Sequence, residues 1–301
     1  MTTFDQLVRQ VRQQLLGFTM SQESVSELAA PMTATDTSFT CDPGTVLNLS
    51  RGLVEIDDEL ILVKGWDGTS GVVNVMGAAN GRGYEGTVAA SHAAHALVTS
   101  SPAFPKARIK EAINQSIITL YPELVVFAET ELTKVAPVME YGLPADCADV
   151  WYVTGQTIGP SKIAQPLPDW RYNPKARTAN FPTGKSIQVL SPVTPGQAIK
   201  VVYAKTPSTL ASGSDDFTAT GYPERYVDLV VYGTCMRLLP ALESARLQQQ
   251  AVEATERAPL VPPSSAAKAM AMYMQLYQTR LQEEREQLYS DVPNYAYFQG
   301  S

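Results

Sequence analysis

Residues 105–122, PKARIKEAINQSIITLYP, decide how the chain is organised, because they predict one helix standing between two β-rich regions. Proline suits the first turn of a helix, which places the start at Pro105, and Pro122 bends or ends the helix. The apolar side chains recur at three- and four-residue spacing, which is typical of a helix with one buried face. That face is predicted to comprise Ile109, Ala112, Ile113, Ser116, Ile117 and Leu120.

Short β-type segments lie on both sides of this helix. They are rich in Val, Ile, Leu and Thr, and turn residues such as Asp-Pro-Gly and Trp-Asp-Gly separate them. Upstream, they predict a small antiparallel sheet or barrel with strands at 38–41, 52–56, 59–64, 71–76, 84–87 and 94–99. Downstream, with long Pro-rich loops between them, they predict a sandwich-like unit with strands at 150–154, 187–190 and 198–204. Residues 124–132 fit either a strand or a second helix.

Both ends of the chain show helical periodicity. The first helix is predicted to bury Phe4, Leu7, Val8, Val11, Leu15 and Leu16. Ser24 and Glu27 have the spacing of a capping box, which predicts a short second helix ending near Pro31. A long helix is predicted from Pro223, and a last helix should pack antiparallel to it. The buried face of that last helix is predicted to comprise Met270, Tyr273, Met274, Tyr277, Leu281 and Leu288.

These elements predict an α+β fold with a discontinuous helical core, two small inserted β units that are barrel- or sandwich-like, and an extended C-terminal arm. The helical core is predicted to comprise residues 1–35, 102–143 and 222–290. The first β unit is predicted at 36–101, the second at 144–208, and the arm at 291–301.

Charge and cysteine content exclude several classes of protein. The 301 residues carry 23 Lys and Arg against 30 Asp and Glu, a net charge of -7, which argues against a sequence-reading nucleic-acid binder. Cys41, Cys147 and Cys235 form no CxxC pair, so a disulfide scaffold and a zinc ribbon are excluded and a reducing compartment is expected. No apolar run is long enough to span a bilayer, and the N-terminus does not have the pattern of a signal peptide.

No motif has the spacing of a catalytic, cofactor-binding or metal site. Residues 181–186, FPTGKS, end like a phosphate-binding loop, but Ala179 stands where that loop requires a glycine. His92 and His95 have no evident third metal ligand and no placed nucleophile. The carboxylates at 57–59 fit a hairpin turn better than an acid–base pair. We therefore predict a non-enzyme without cofactor or metal.

Two segments are singled out as structural or interface candidates. Residues 82–95 follow Gly81 and include two further glycines, which predicts a turn and bulge in which Thr87 and His92 bond local backbone groups. The candidate residues there are Arg82, Gly83, Gly86, Thr87 and His92. In the C-terminal arm, three aromatic residues predict an intermolecular anchor, or otherwise a tail folded back on its own helices: Tyr295, Tyr297 and Phe298.

The residues 82–98, RGYEGTVAASHAAHALV, resemble a segment of tailed-bacteriophage head-to-tail connector or adaptor (neck) proteins. In that pattern Arg-Gly is followed by Gly-Thr, Ala and His before a strand, and glycine is usual where this chain has His95. The helix that follows, FPKARIKEAINQSIITLYP, is similar to the next helix of that family. The segments 237–257 and 272–289 are similar to its C-terminal helical pair, so the resemblance covers about two thirds of the chain.

The resemblance implies a virion structural protein of the neck, assembled in the host cytoplasm. It implies a homo-oligomeric ring, commonly of twelve subunits, that docks under the portal protein and meets a tail or stopper protein. The genome would pass through the ring without specific contacts, and an acidic lumen would keep DNA from adhering. No membrane partner and no catalytic residue are implied.

Two alternatives remain open at this stage. One is another tail component, such as a tail terminator, tube, collar or baseplate protein, although such proteins usually contain fewer long helices. The other is a virion-associated hydrolase, which would need a carboxylate pair or a His-centred site in a cleft.

Overall fold

The computed structural model describes residues 1–16, 24–42, 51–77, 81–159, 163–253 and 265–291. Within these residues the fold is α+β, with four α-helices and curled sheets. The chain divides into two compact units. The N-terminal unit comprises Phe4–Gln115 and Val231–Met274, and the central unit comprises Met1–Thr3, Ser116–Val230 and Gln275–Ser301. The division into a helical core and two inserted β units stays a prediction.

The four described helices fall where the sequence places its long helices. They are α1 (Phe4–Leu16), α2 (Lys106–Thr119), α3 (Val227–Glu253) and α4 (Ser265–Asp291). All six residues predicted for the inner face of α2 are buried. A short 3₁₀ turn, Glu224–Tyr226, separates Pro223 from α3, so the α-helix begins four residues after that proline.

The N-terminal unit contains one antiparallel sheet of six strands. The strands are β1 (Ser24–Glu27), β2 (Ser38–Thr40), β3 (Gly52–Ile56), β4 (Glu59–Asp67), β5 (Val72–Val75) and β6 (Leu97–Ser100). Their order across the sheet is β1-β6-β3-β4-β5-β2. One face packs into a core that includes Leu28, Phe39, Ile56, Ile61 and Val73, all almost fully buried.

Three local predictions in this unit are wrong. Residues 24–27 form strand β1, because pairing with β6 (Val25 opposite Thr99) outweighs the local capping pattern. The strand predicted at 84–87 is a 3₁₀ turn, since Glu85 has a φ of 52° and an extended chain cannot continue through it. The strand predicted from residue 94 begins only at Leu97, because His95 has a φ of 64°.

The buried carboxylate of Glu55 joins α1, β3 and α2. It accepts a hydrogen bond from the backbone N–H of Lys106 at the start of α2 (2.5 Å) and another from Nη2 of Arg12 on α1 (2.9 Å). Arg12 Nη2 also donates to the Phe104 carbonyl (2.9 Å). A carboxylate at a helix N-terminus satisfies an N–H group that has no partner within the helix.

The central unit contains two sheets that share one core. A four-stranded sheet has the order β10-β9-β13-β7, and a three-stranded sheet has the order β11-β12-β8. The strands are β7 (Val126–Thr133), β8 (Glu140–Gly142), β9 (Cys147–Gln156), β10 (Ala164–Pro166), β11 (Trp170–Asn173), β12 (Ser186–Val189) and β13 (Ala198–Lys205). Side chains of both sheets meet in the core, among them Val153, Ile187, Val189, Ile199 and Val201.

The ambiguous segment after α2 is a strand, because β7 pairs along its whole length with β13. Sequence analysis misses β8, β10 and β11, which are only three or four residues long and lie in or beside Pro-rich loops. Cys41, Cys147 and Cys235 are buried and form no disulfide bond. Burial raises the pKa of Cys41 to about 11 and that of Cys235 to about 12.

The inner face predicted for α4 is only partly correct. Tyr273, Tyr277, Leu281 and Leu288 are half-buried, whereas Met270 and Met274 are exposed. Tyr273 donates a hydrogen bond from its hydroxyl to the Gln14 carbonyl (3.2 Å). Most of the predicted C-terminal arm, including Tyr295, Tyr297 and Phe298, lies outside the described residues.

Candidate functional site

A buried cluster of three side chains, Glu59, Arg82 and His92, fixes segment 82–95 to the β3–β4 hairpin. Glu59 is the first residue of β4, directly after the two-residue hairpin turn. The side chains of Arg82 and His92 are each 2% exposed, and that of Glu59 is 1% exposed. Charges buried this deeply are stable only when they are paired and hydrogen-bonded.

Each N–H of the Arg82 guanidinium has an acceptor. Nε and Nη2 form a two-point pair with the Glu59 carboxylate, at 2.7 and 2.9 Å. Nη1 donates to the carbonyls of Thr33 (2.7 Å) and Asp36 (3.2 Å). Nη2 also donates to the carbonyl of Ala90 (2.7 Å). A guanidinium has five N–H groups and all are used here, so Arg82 ties its own segment to β4 and to the turn that begins at Thr33.

The Glu59 carboxylate is equally saturated. Besides Arg82, it accepts hydrogen bonds from the backbone N–H groups of Gly83 (2.9 Å) and Ala90 (3.0 Å). Burial raises the pKa of this carboxyl, but the bonds from Arg82, the two backbone amides and the His92 ring outweigh burial and lower the pKa to about 2. Glu59 is therefore ionised throughout the physiological pH range.

His92 lies between two carboxylates. Its Nδ1 is 2.8 Å from Oδ2 of Asp57, and its Nε2 is 2.9 Å from Oε2 of Glu59. A neutral imidazole has one N–H, so both contacts are hydrogen bonds only when the ring is doubly protonated. The sequence prediction that this side chain bonds backbone groups is wrong, although the main chain of His92 pairs with that of Met32.

Thr87 and the glycines shape the turn above the cluster. The Thr87 hydroxyl donates to the carbonyl of Tyr84 (2.9 Å), so its predicted bond to a local backbone group is confirmed. The same hydroxyl accepts from the N–H of Leu60 on β4 (3.1 Å), which lies 27 residues away in the chain. Gly83 has a φ of 58°, and a Cβ there would lie 2.7 Å from the Thr87 carbonyl oxygen. Gly86, with a φ of 84°, completes the turn.

This arrangement can hold a backbone rigid, and it offers no free group for catalysis. Both His92 nitrogens face carboxylates, and the oxygens of Glu59 accept five hydrogen bonds. On the outer side of the segment, Glu85, Gly86, Val88, Ala90 and Ser91 are exposed, and Val88 has 80% of its surface in solvent. The cluster thus presents a short, pre-ordered stretch of backbone and small side chains to the outside.

The other candidates from the sequence serve the local fold. In the phosphate-loop-like segment 181–186, the Nζ of Lys185 donates to the carbonyls of Ala145 and Cys147, both at 2.6 Å. The Thr183 hydroxyl donates to the backbone carbonyl of Leu143 at 2.7 Å. Over the described ranges, no group of three or more His, Cys, Asp or Glu side chains has an arrangement that could hold a metal ion.

The structure brings four of the predicted residues, Arg82, Gly83, Thr87 and His92, to one place, with Gly86 at the adjoining turn. Sequence analysis misses the structural role of Glu59, because the run of carboxylates at 57–59 fits a hairpin turn better than an acid–base pair. Its position at the first residue of an apolar strand is the signal that could have indicated a buried, paired carboxylate.

Residues 87–296, more than two thirds of the chain, match the family model of the SU10 adaptor protein. The chain belongs to the SU10 adaptor protein family. Thr87 and His92 lie within the matched range, and Arg82 lies just before it. No curated protein sequence matches this adaptor chain.

Membership confirms the expected family of phage head-to-tail adaptors. The chain is a phage adaptor, a structural component of the virion, and the family implies assembly with portal and tail proteins. The family is one of structural adaptors, which argues against the alternative of a virion-associated hydrolase. In the described part of this adaptor, no helix combines the length and apolarity needed to cross a membrane.

Proposed function

We propose that this adaptor forms a ring of twelve copies that joins the portal protein to the tail or stopper protein and lines the channel for the genome. The match of residues 87–296 to the SU10 adaptor family carries the proposal. Closed rings arise when each subunit offers two different, complementary surfaces to its neighbours.

The charge of the chain supports a passage for DNA. Asp and Glu outnumber Lys and Arg by 30 to 23, so the chain repels phosphate on balance. A protein that released counterions from many phosphates would hold the genome in place. We therefore expect the purified adaptor not to retain duplex DNA at physiological salt.

The pre-ordered segment 82–95 supports a docking role toward another virion protein. A loop that is already held in its bound conformation loses little conformational entropy on binding. Here Arg82 and Glu59 order the backbone from beneath, while Val88 and Ser91 stay accessible. We propose that this exposed stretch contacts the portal or tail protein.

The C-terminal residues 291–301 are proposed to be an intermolecular arm. Tyr295, Tyr297 and Phe298 would anchor it, since aromatic side chains supply large contact areas at binding surfaces. The arm would attach by adding a strand to the sheet edge of a neighbouring subunit or of the portal.

Electron microscopy of the purified adaptor, alone and mixed with its portal protein, tests the proposal. We expect rings of twelve subunits docked on portals. A chain that stays monomeric and does not attach to portals contradicts the proposed function. Deleting residues 291–301 should leave the thermal unfolding unchanged and reduce the fraction of occupied portals, whereas full occupancy after the deletion contradicts the arm.

A further inference from the structure

Exposed apolar side chains concentrate at one end of the central unit. The register of the sheets places the end of β7 (Thr133), the end of β9 (Gln156) and the start of β13 (Ala198) side by side. The loops that leave these strand ends therefore meet at one end of the unit. We call this surface the loop tip; it comprises Val135, Val138, Met139, Ile158, Ile163 and Leu190, which are 40–69% exposed.

The loop tip has the composition of an interface core. The loops 134–139, 157–163 and 190–197 contain two charged residues, Lys134 and Lys162, and the Nζ of Lys134 donates to the Val138 carbonyl (2.8 Å). A patch on the order of 500 Å² equals the largest apolar patches of monomeric proteins and more than half of one side of a standard interface. Charge depletion of this kind distinguishes the centre of an interface from ordinary surface.

Helix α4 offers a second apolar surface. Its half-buried Tyr273 and Tyr277 lie in the middle of a broad apolar arc, and both borders of that arc are exposed. Met272 (61% exposed) and Leu276 (39%) form one border, and Met270 and Met274 form the other. The helix thus has more apolar surface than the described part of the chain covers. We call these four side chains the α4 borders.

We propose that the loop tip of one copy packs against one of the α4 borders, Met272 and Leu276, of the adjacent copy, and that this contact closes the ring. The inference rests on the proposed function, which requires two different surfaces per subunit. Of the sixteen large apolar side chains that are exposed among the described residues, ten belong to these two surfaces.

Charge favours a second copy as the occupant. Two chains of net charge -7 repel each other, so they can approach most easily where negative charges are absent. The stretch of α4 from residue 269 to residue 279 contains no charged residue, and the two charged residues in the loops of the loop tip, Lys134 and Lys162, are both positive. Methionine side chains also adapt readily to a rigid, branched surface such as Ile158 and Ile163.

A mixing experiment with two charged variants tests this contact. Ile158→Glu damages the loop tip and Met272→Glu damages one α4 border. Ile118→Glu is the matched control, because Ile118 is 51% exposed on α2 and belongs to neither surface. Mass photometry and analytical ultracentrifugation across a concentration series report the assembly, and thermal unfolding shows that each variant is folded.

We expect the wild type and Ile118→Glu to assemble, and each surface variant alone to associate about a hundredfold more weakly or not at all, leaving the 32.7 kDa chain. Mixed in equal amounts, the two surface variants should form a dimer and nothing larger, because each keeps the surface that the other lacks. Rings from either variant, a mixture that stays monomeric, or a wild type that never associates each overturn the inference.

A failure of this subunit contact can be distinguished from a failure of the proposed adaptor function. Portal attachment of the wild-type chain tests the adaptor role, whatever surface holds the subunits together. If the surface variants still form rings but no longer attach to portals, the loop tip or α4 faces another virion protein, and the subunit contact proposed here is wrong while the adaptor role stands.

Discussion

Replacing Arg82 with Met should strongly destabilise the N-terminal unit, because it leaves the Glu59 carboxylate buried without its main partner. Removing one partner of a buried ion pair costs about 3–5 kcal/mol. The carbonyls of Thr33, Asp36 and Ala90 also lose their donor. For a unit of this size, about 3 kcal/mol corresponds to a decrease in Tm of roughly 6–12 °C.

Urea unfolding monitored by tryptophan fluorescence measures this loss of stability in the N-terminal unit. Trp66 lies on β4 in the N-terminal unit, whereas Trp151 and Trp170 lie in the central unit. With the latter two replaced by Phe, the fluorescence reports the unit that contains the cluster. The matched control is Arg51→Met, since Arg51 is exposed and its loss should change the stability by no more than about 0.5 kcal/mol.

The double variant Arg82→Met with Glu59→Met identifies the mechanism. The double variant leaves neither Glu59 nor Arg82 as an unpaired buried charge. Its loss of unfolding free energy should therefore be smaller than the sum of the two single losses, by a coupling energy of about 2 kcal/mol or more. Equal losses for Arg82→Met and Arg51→Met, or additive losses in the double variant, would refute the argument that the pair holds segment 82–95.

Three further predictions concern the same segment. The lowered pKa of Glu59, about 2 against 4.5, means that its stabilisation is complete above pH 4.5 and is lost as the pH falls toward 2. Urea titrations at pH 7 and pH 3 should therefore differ by about 2 kcal/mol from this group, and Glu59→Gln should remove that part of the difference. Thr87→Val should cost about 1–2 kcal/mol in the same assay, because Leu60 N–H and Tyr84 O lose their partner, and an unchanged midpoint would contradict that role. His95→Gly should raise stability by up to about 1 kcal/mol by calorimetry, since His95 has a left-handed φ of 64° and its pair with Glu27 is exposed; a decrease would show that this pair matters more than the backbone.

The resemblance to phage adaptors marks His95 as a departure, because glycine is usual at that position. The structure supplies the physical reason for a glycine there. With φ at 64°, the residue lies in the left-handed region, which costs a side chain with a Cβ about 1 kcal/mol. The sequence indicates the departure, and the backbone angle explains it.

The amino-acid sequence alone determines the long helices of this protein and several of its strands. The predicted inner face of α2 is buried residue for residue, because a 3.6-residue period of apolar side chains is a local signal that tertiary contacts reinforce. Strands β3, β4, β9, β12 and β13 are recognised from short runs rich in Val, Ile, Leu and Thr that are bounded by turn residues. The adaptor family is also identified from sequence, through segments 82–98, 104–122, 237–257 and 272–289.

Only the tertiary structure decides what the local signals leave open. Ser24–Glu27 carry a helix-capping pattern, yet they become β1 because β6 supplies backbone hydrogen bonds from more than seventy residues away. The cluster of Glu59, Arg82 and His92 likewise joins residues 23 to 33 positions apart in the chain. Spacing within a sequence cannot show that these charges meet, since their stability depends on burial and on carbonyls that the fold places around them.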